Sequence, residues 1–152
     1  MEISFVAGFG PISVSSAEST AFWSGALGIH LDQPQPGYFH TETLPGVKAF
    51  AVWPLEQAAE STFGTPQWPE ELPVPQAWIE FDVATPAAVG TAIEELRRAG
   101  HRVLKGAGEE PWGQTTARLL SPEGLLTAIA YTPWMHADDA AAGHPTGAQD
   151  NP

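Results

Sequence analysis

Apolar residues crowd the first stretch of the chain. Ile3, Phe5, Val6, Phe9, Ile12 and Val14 predict a strand over Ile3–Val14, and Gly8 and Gly10 make it irregular or closely approached by other groups. Ser15 followed by Glu18 is a helix-start signal of the capping-box type, and Gly28 suits the stop, so Ser16–Ala26 is predicted helical. Tyr38–Thr43 and Val47–Trp53 flank Leu44-Pro45-Gly46 and predict a hairpin. Pro54–Pro75 is rich in Pro, Glu and Gln and reads as a join with a short helical turn at Leu55–Glu60. Ala77–Val83 predicts another strand. Thr85, Pro86 and Gly100 then bracket a second helix, whose stripe of Val89, Ile93 and Leu96 recurs at i, i+4 and i+7. His101–Leu104, Thr115–Leu120 and Leu125–Tyr131 predict three strands, the last two joined by the turn Ser121-Pro-Glu-Gly124. Strand–helix–strands therefore occurs twice. The expectation is one α+β domain over residues 1–136, with modules at 1–54 and 76–134, a linker at 55–75 and a disordered tail at 137–152.

Composition narrows the chemistry. With 43% hydrophobic residues a real core can form, and no apolar run approaches the ~20 residues that span a bilayer. The chain has no cysteine, which excludes disulfides, thiolate catalysis and sulfur-based zinc sites. A cytoplasmic location is expected, since no signal peptide is evident at the N-terminus. The net charge of −12 repels phosphate backbones and attracts cationic small molecules, so nucleic acid is not an expected partner.

Several pieces together carry a resemblance. They are Ala21-Phe22-Trp23 ahead of Leu27-Gly28-Ile29, Trp78-Ile-Glu-Phe-Asp-Val83, Glu94-Glu-Leu-Arg-Arg-Ala-Gly100, Glu110-Pro-Trp-Gly113 and Ser121-Pro-Glu-Gly-Leu125. In order and spacing they resemble the glyoxalase / bleomycin-resistance / extradiol-dioxygenase (vicinal oxygen chelate) superfamily over about Val6–Trp134. The resemblance implies two βαβββ modules forming curved mixed sheets around a crevice, and a homodimer. Catalytic members hold a divalent metal on the sheet floor with His and Glu. Here the corresponding positions fall at Phe9 or Gly8, at Phe50 or Val52, at Trp78 and at Ala128, and none of these side chains offers a metal a lone pair. No cofactor or metal is therefore expected.

The reading that follows is a small-molecule binding protein of the drug-sequestering, bleomycin-resistance type rather than an enzyme. Its ligand is expected to be cationic or aromatic. Strand alternation puts Glu80 and Asp82 on one face with Trp78, and Ile79, Phe81 and Val83 on the other. Phe9, Phe50, Val52, Trp53, Trp78, Glu80, Trp112, Arg118 and Ala128 are the expected ligand-binding residues, with Arg118 expected to pair with Glu80 or else with a ligand carboxylate, burial favouring the first. The alternative is a metal-dependent lyase, isomerase or dioxygenase with displaced ligands. His40 and Glu42, on one face of one strand, are its candidates.

Overall fold

Ser15 and Thr85 start the two main helices in the same way. Each has extended backbone and accepts a hydrogen bond from a backbone N–H three residues on, Glu18 at 3.3 Å and Ala88 at 3.1 Å. The reciprocal half of the capping box differs from expectation, because the Ser15 N–H donates to Ser13 Oγ at 3.1 Å. The computed structural model describes residues 1–136, and the tail expected over 137–152 lies outside them.

In chain order the elements are β1 (Phe5–Ser13), α1 (Ser16–Thr20) continuing as a π-helical segment (Ala21–Ala26), β2 (Asp32–Gln35), β3 (Tyr38–Thr41), β4 (Phe50–Pro54), α2 (Leu55–Phe63), β5 (Ala77–Asp82), α3 (Pro86–Arg98), β6 (Val103–Glu109), β7 (Thr115–Leu120) and β8 (Leu126–Tyr131). Each half thus reads βαβββ, with α2 at the start of the join. Two elements exceed expectation. β2 is wholly exposed and polar, so no apolar period marks it. α2 runs past Glu60 to Phe63, where Gly64 takes the left-handed conformation (φ +80°) that ends it.

The eight strands of the described residues form one curved mixed sheet in the order β2-β3-β4-β1-β5-β8-β7-β6. β1 runs parallel to β4 and β5 parallel to β8, while β1 and β5 pair antiparallel at the centre. The halves are therefore related by an approximate twofold axis between β1 and β5. The register Gly8↔Glu80 and Gly10↔Trp78 makes Gly8 the counterpart of Trp78, and Gly10 that of Glu80. A Cβ on Gly10 would stand 1.8 Å from the Ala51 carbonyl oxygen, so the close approach of β4 requires glycine there.

α3 covers one face of the second half. Val89, Ala92 and Ile93 pack on Val83, Ala117 and Ile129. Full burial of Val89 and Ile93 stabilises by roughly 1.5–3 kcal/mol each. The π-helical segment covers the same face of the first half, where Trp23 tilts against Phe50 at a centroid distance of 5.4 Å. On the opposite face α2 lies across the sheet, and Ala58 joins Ala51, Trp78 and Leu126 in a second buried cluster. The part of that face left uncovered by α2 is the crevice described next. Among the described residues, no helix is long and apolar enough to cross a membrane.

Candidate functional site

Strand alternation builds the crevice from both halves. β3 presents Tyr38 and His40, with Glu42 just beyond its end. Ala49 precedes β4, which presents Trp53, while β5 presents Trp78 and Glu80 and β7 presents Arg118. The turn between β6 and β7 adds Trp112 and Gln114, and the chain after β8 adds Thr132, Trp134 and Met135. The enclosed volume is about 310 Å3. A concave, largely aromatic surface with a few convergent polar groups is the usual form of a small-molecule site. A wider depression of about 680 Å3 between α3 and β6 is shallow, and its Arg97 is engaged by Glu94, so it lacks that form.

Trp78 is 8% exposed and closes the floor. Its Nε1–H donates to the Ala51 carbonyl at 3.1 Å, and Trp53 meets it edge-on at 6.0 Å. Its ring fills the space over Gly8, where a Cβ would come within 2.6 Å of the indole. At the rim, Trp112 and Trp134 keep 51% and 40% of their surfaces exposed, which leaves their faces open to a ligand.

Two polar systems frame these rings. In the first, Gln114 Nε2 donates to Glu80 Oε1 and to Thr132 Oγ1, each at 2.7 Å, while Gln114 Oε1 accepts from Trp112 Nε1 at 2.9 Å. Thr132 donates to the buried Asp82 through its hydroxyl (2.9 Å) and its backbone N–H (2.6 Å), and His136 Nε2 lies 2.9 Å from the same carboxylate. In the second, Arg118 donates to Glu110 Oε1 at 3.1 Å and to Ser61 Oγ of α2 at 2.9 Å, and its guanidinium lies 5.3 Å from the Trp53 ring centre. Lys105 and Thr116 also donate to Glu110.

These surroundings move three acidities. Burial pushes the Glu80 carboxyl above the ordinary carboxylate range, and Asp82 and Glu110 add to the shift against the opposing pull of Arg118 and Gln114. Burial also works against the Glu110 carboxylate. The hydrogen bonds from Lys105 and Thr116 and the charges of Arg118 and Lys105 outweigh it and hold this group below the ordinary range. Tyr38 is raised by burial and by the nearby Glu80 and Glu42 charges, so it remains a neutral phenol.

The expected residues divide. Trp53, Trp78, Glu80, Trp112 and Arg118 line the crevice together, as do His40 and Glu42. Phe9, Phe50 and Val52 do not. They lie on the helix-bearing face, opposite Gly8, Ala51 and Trp53, because β4 is apolar on both faces and its alternation alone leaves the phase open. Ala128 is on the crevice face beside Glu80 but is buried beneath the lining. Arg118 bonds Glu110 rather than Glu80, and Asp82 is fully buried. Tyr38, Gln114, Thr132, Trp134 and Met135 were not expected. Gln114 directly follows the Glu110-Pro-Trp-Gly113 turn, which was the available signal for it.

A divalent metal does not fit the family position. The indole of Trp78 occupies the space over Gly8, Ala51 and Ala128 carry no donor, and Glu80 stands alone there as a carboxylate already bonded to Gln114. Among the described residues, no group of three or more His, Asp or Glu side chains is placed to hold a metal ion.

No protein-family model matches the chain, and no curated protein does. Solved structures do. A glyoxalase/bleomycin resistance protein/dioxygenase superfamily member from Vibrio splendidus 12B01 is 14% identical with a TM-score of 0.56, covering 84% of this chain and 97% of its own. An NAD-dependent benzaldehyde dehydrogenase from Legionella pneumophila is 11% identical with a TM-score of 0.57, covering 82% and 96%. A hypothetical protein from Bacillus halodurans C-125 is 17% identical with a TM-score of 0.51, covering 84% and 93%. At these identities the likeness is one of fold.

Proposed function

We propose that this chain, which has the fold of the glyoxalase/bleomycin resistance/dioxygenase superfamily, is a binding protein that sequesters a planar cationic or aromatic small molecule in its crevice without a metal. The observation that carries the reading is the composition of the lining. Trp53, Trp112 and Trp134 offer ring faces or edges, and Glu80 and Glu42 place carboxylates among them. Rings attract cations through their negative faces, and a carboxylate whose pKa burial has raised gains most from a positive partner. The acidic surface steers such molecules inward.

Tryptophan fluorescence and melting-temperature titrations with proflavine, a planar aromatic cation, test this. Saturable quenching and a raised melting temperature are expected. Trp112→Ala should weaken binding by about 1–3 kcal/mol, the range for one lost stacking partner, and leave folding intact because the ring is half exposed. Near one equivalent of tightly bound divalent metal, lost on substituting His40 or Glu42, would replace this reading with the enzymatic one.

The same reading includes a homodimer. Val6 and Phe9 of β1, Phe22 of the π-helical segment and Leu27 after it stay more than two-fifths exposed, and a second subunit would bury such apolar side chains.

A further inference from the structure

Of the two crevice carboxylates, Glu42 is exposed at the rim, and Glu80, deeper in, has two oxygens that are not equivalent. Oε1 accepts from Gln114 Nε2 at 2.7 Å, and Oε2 has no hydrogen-bond partner among the described residues. Gln114 cannot release Oε1 cheaply. It is 7% exposed and held at three points, by Trp112, Thr132 and Glu80. Its orientation is fixed by its neighbours. The Thr132 hydroxyl gives its proton to the acceptor-only Asp82, so Thr132 Oγ1 can only accept from Gln114, and the indole N–H of Trp112 can only donate to it. Turning the amide over would set acceptor against acceptor at Glu80 and donor against donor at Trp112. The nearest strong cation, Arg118, is turned away to Glu110 and Ser61.

We propose that Glu80 reads its ligand through Oε2 alone, so that the crevice selects an aryl-alkyl ammonium over an amidinium or guanidinium of the same ring. This rests on the binding function above and names the ligand class within it. An ammonium is a point charge that one oxygen satisfies. A planar amidinium binds best by engaging both carboxylate oxygens at once. Here its second hydrogen bond would have to go to Oε1, an oxygen already engaged by the buried Gln114 amide, so the fork would share one acceptor and gain less from it. The raised pKa of Glu80, set first by burial, agrees with a carboxylate that lacks a full counter-charge until a ligand arrives.

The test compares three probes that share one ring: 2-naphthylmethylamine, 2-naphthamidine and 2-naphthalenemethanol, titrated calorimetrically at neutral pH into the full chain. The amine is expected to bind at least tenfold more tightly than either other probe. Glu80→Gln should abolish its advantage over the alcohol. Gln114→Ala, which frees Oε1, should bring the amidine level with the amine. Amidine affinity equal to or above that of the amine in the unmodified protein overturns the inference, and that comparison needs no variant to fold. Equal, Trp112-dependent binding of all three would leave the aromatic crevice standing and remove only the role of Oε2. If none binds, the binding function and this inference fail together.

Discussion

Replacing Glu110 with Gln isolates one charge in a buried network. Arg118 is 1% exposed and Glu110 5% exposed, so neither can recover its hydration if the other is neutralised. The amide keeps the size of the side chain and one acceptor for Arg118, while Lys105 and Arg118 lose their shared counter-charge. Removing one partner of a buried pair costs about 3–5 kcal/mol. The retained acceptor places this variant near the lower end, about 3 kcal/mol, which corresponds to a melting temperature roughly 6–12 °C lower for a chain of this size. Equilibrium urea unfolding measures the difference directly. The pH dependence supplies a second readout. The folded-state pKa of Glu110 lies below its ordinary value of 4.5, so its contribution is present above that value and is lost as pH falls through the depressed one. The gap between the two proteins should therefore narrow in acid. A variant within 1 kcal/mol of the parent at neutral pH, with a gap that does not change in acid, would refute the assignment of Glu110 as the counter-charge of Arg118.

Other outcomes follow from the same structure. Gly10→Ala should destabilise by several kcal/mol or prevent folding, because the added methyl would meet the Ala51 carbonyl at 1.8 Å; a melting temperature equal to the parent's would show that β1 and β4 separate easily. Light scattering at micromolar concentration should give the mass of a dimer, and a monomer mass counts against the second subunit. Binding of 2-naphthylmethylamine should weaken as pH falls through the raised Glu80 pKa, above the ordinary 4.5, and Glu80→Gln should flatten that dependence; an unchanged profile in the variant would move the titrating group away from Glu80.

The helices and their limits were legible because capping residues act locally. Ser15, Thr85 and Pro86 mark helix starts wherever the chain goes next. The face of β5 was legible for a related reason: Trp78, Glu80 and Asp82 alternate with Ile79, Phe81 and Val83, of which Phe81 and Val83 pack toward α3. β4 defeated the same logic. Its Phe, Ala, Val and Trp are acceptable on either face, and the phase is set by Gly10, whose missing side chain admits the Ala51 carbonyl. The partner of Arg118 was hidden for another reason. Glu110 reaches it only because a turn at Gly113 (φ +98°) folds the β6–β7 connection back, a three-dimensional event with no periodic signature. Gln114 carries neither charge nor ring and drew no notice, yet it joins Glu80 to the chain after β8.

The approximate twofold axis between β1 and β5 constrains how the crevice can change over generations. Counterpart positions on the two strands carry opposite burdens: the first half supplies emptiness at Gly8 and Gly10, and the second supplies bulk and charge at Trp78 and Glu80. A substitution at either glycine meets backbone or indole at once, so that half is nearly frozen at the seam. A substitution at Trp78 or Glu80 loses buried packing or the Gln114 hydrogen bond but meets no backbone, and it reshapes or recolours a space its counterpart keeps open. New ligand preferences should therefore arise by drift in the second half, while the glycine half acts as the mould against which each new shape is cast.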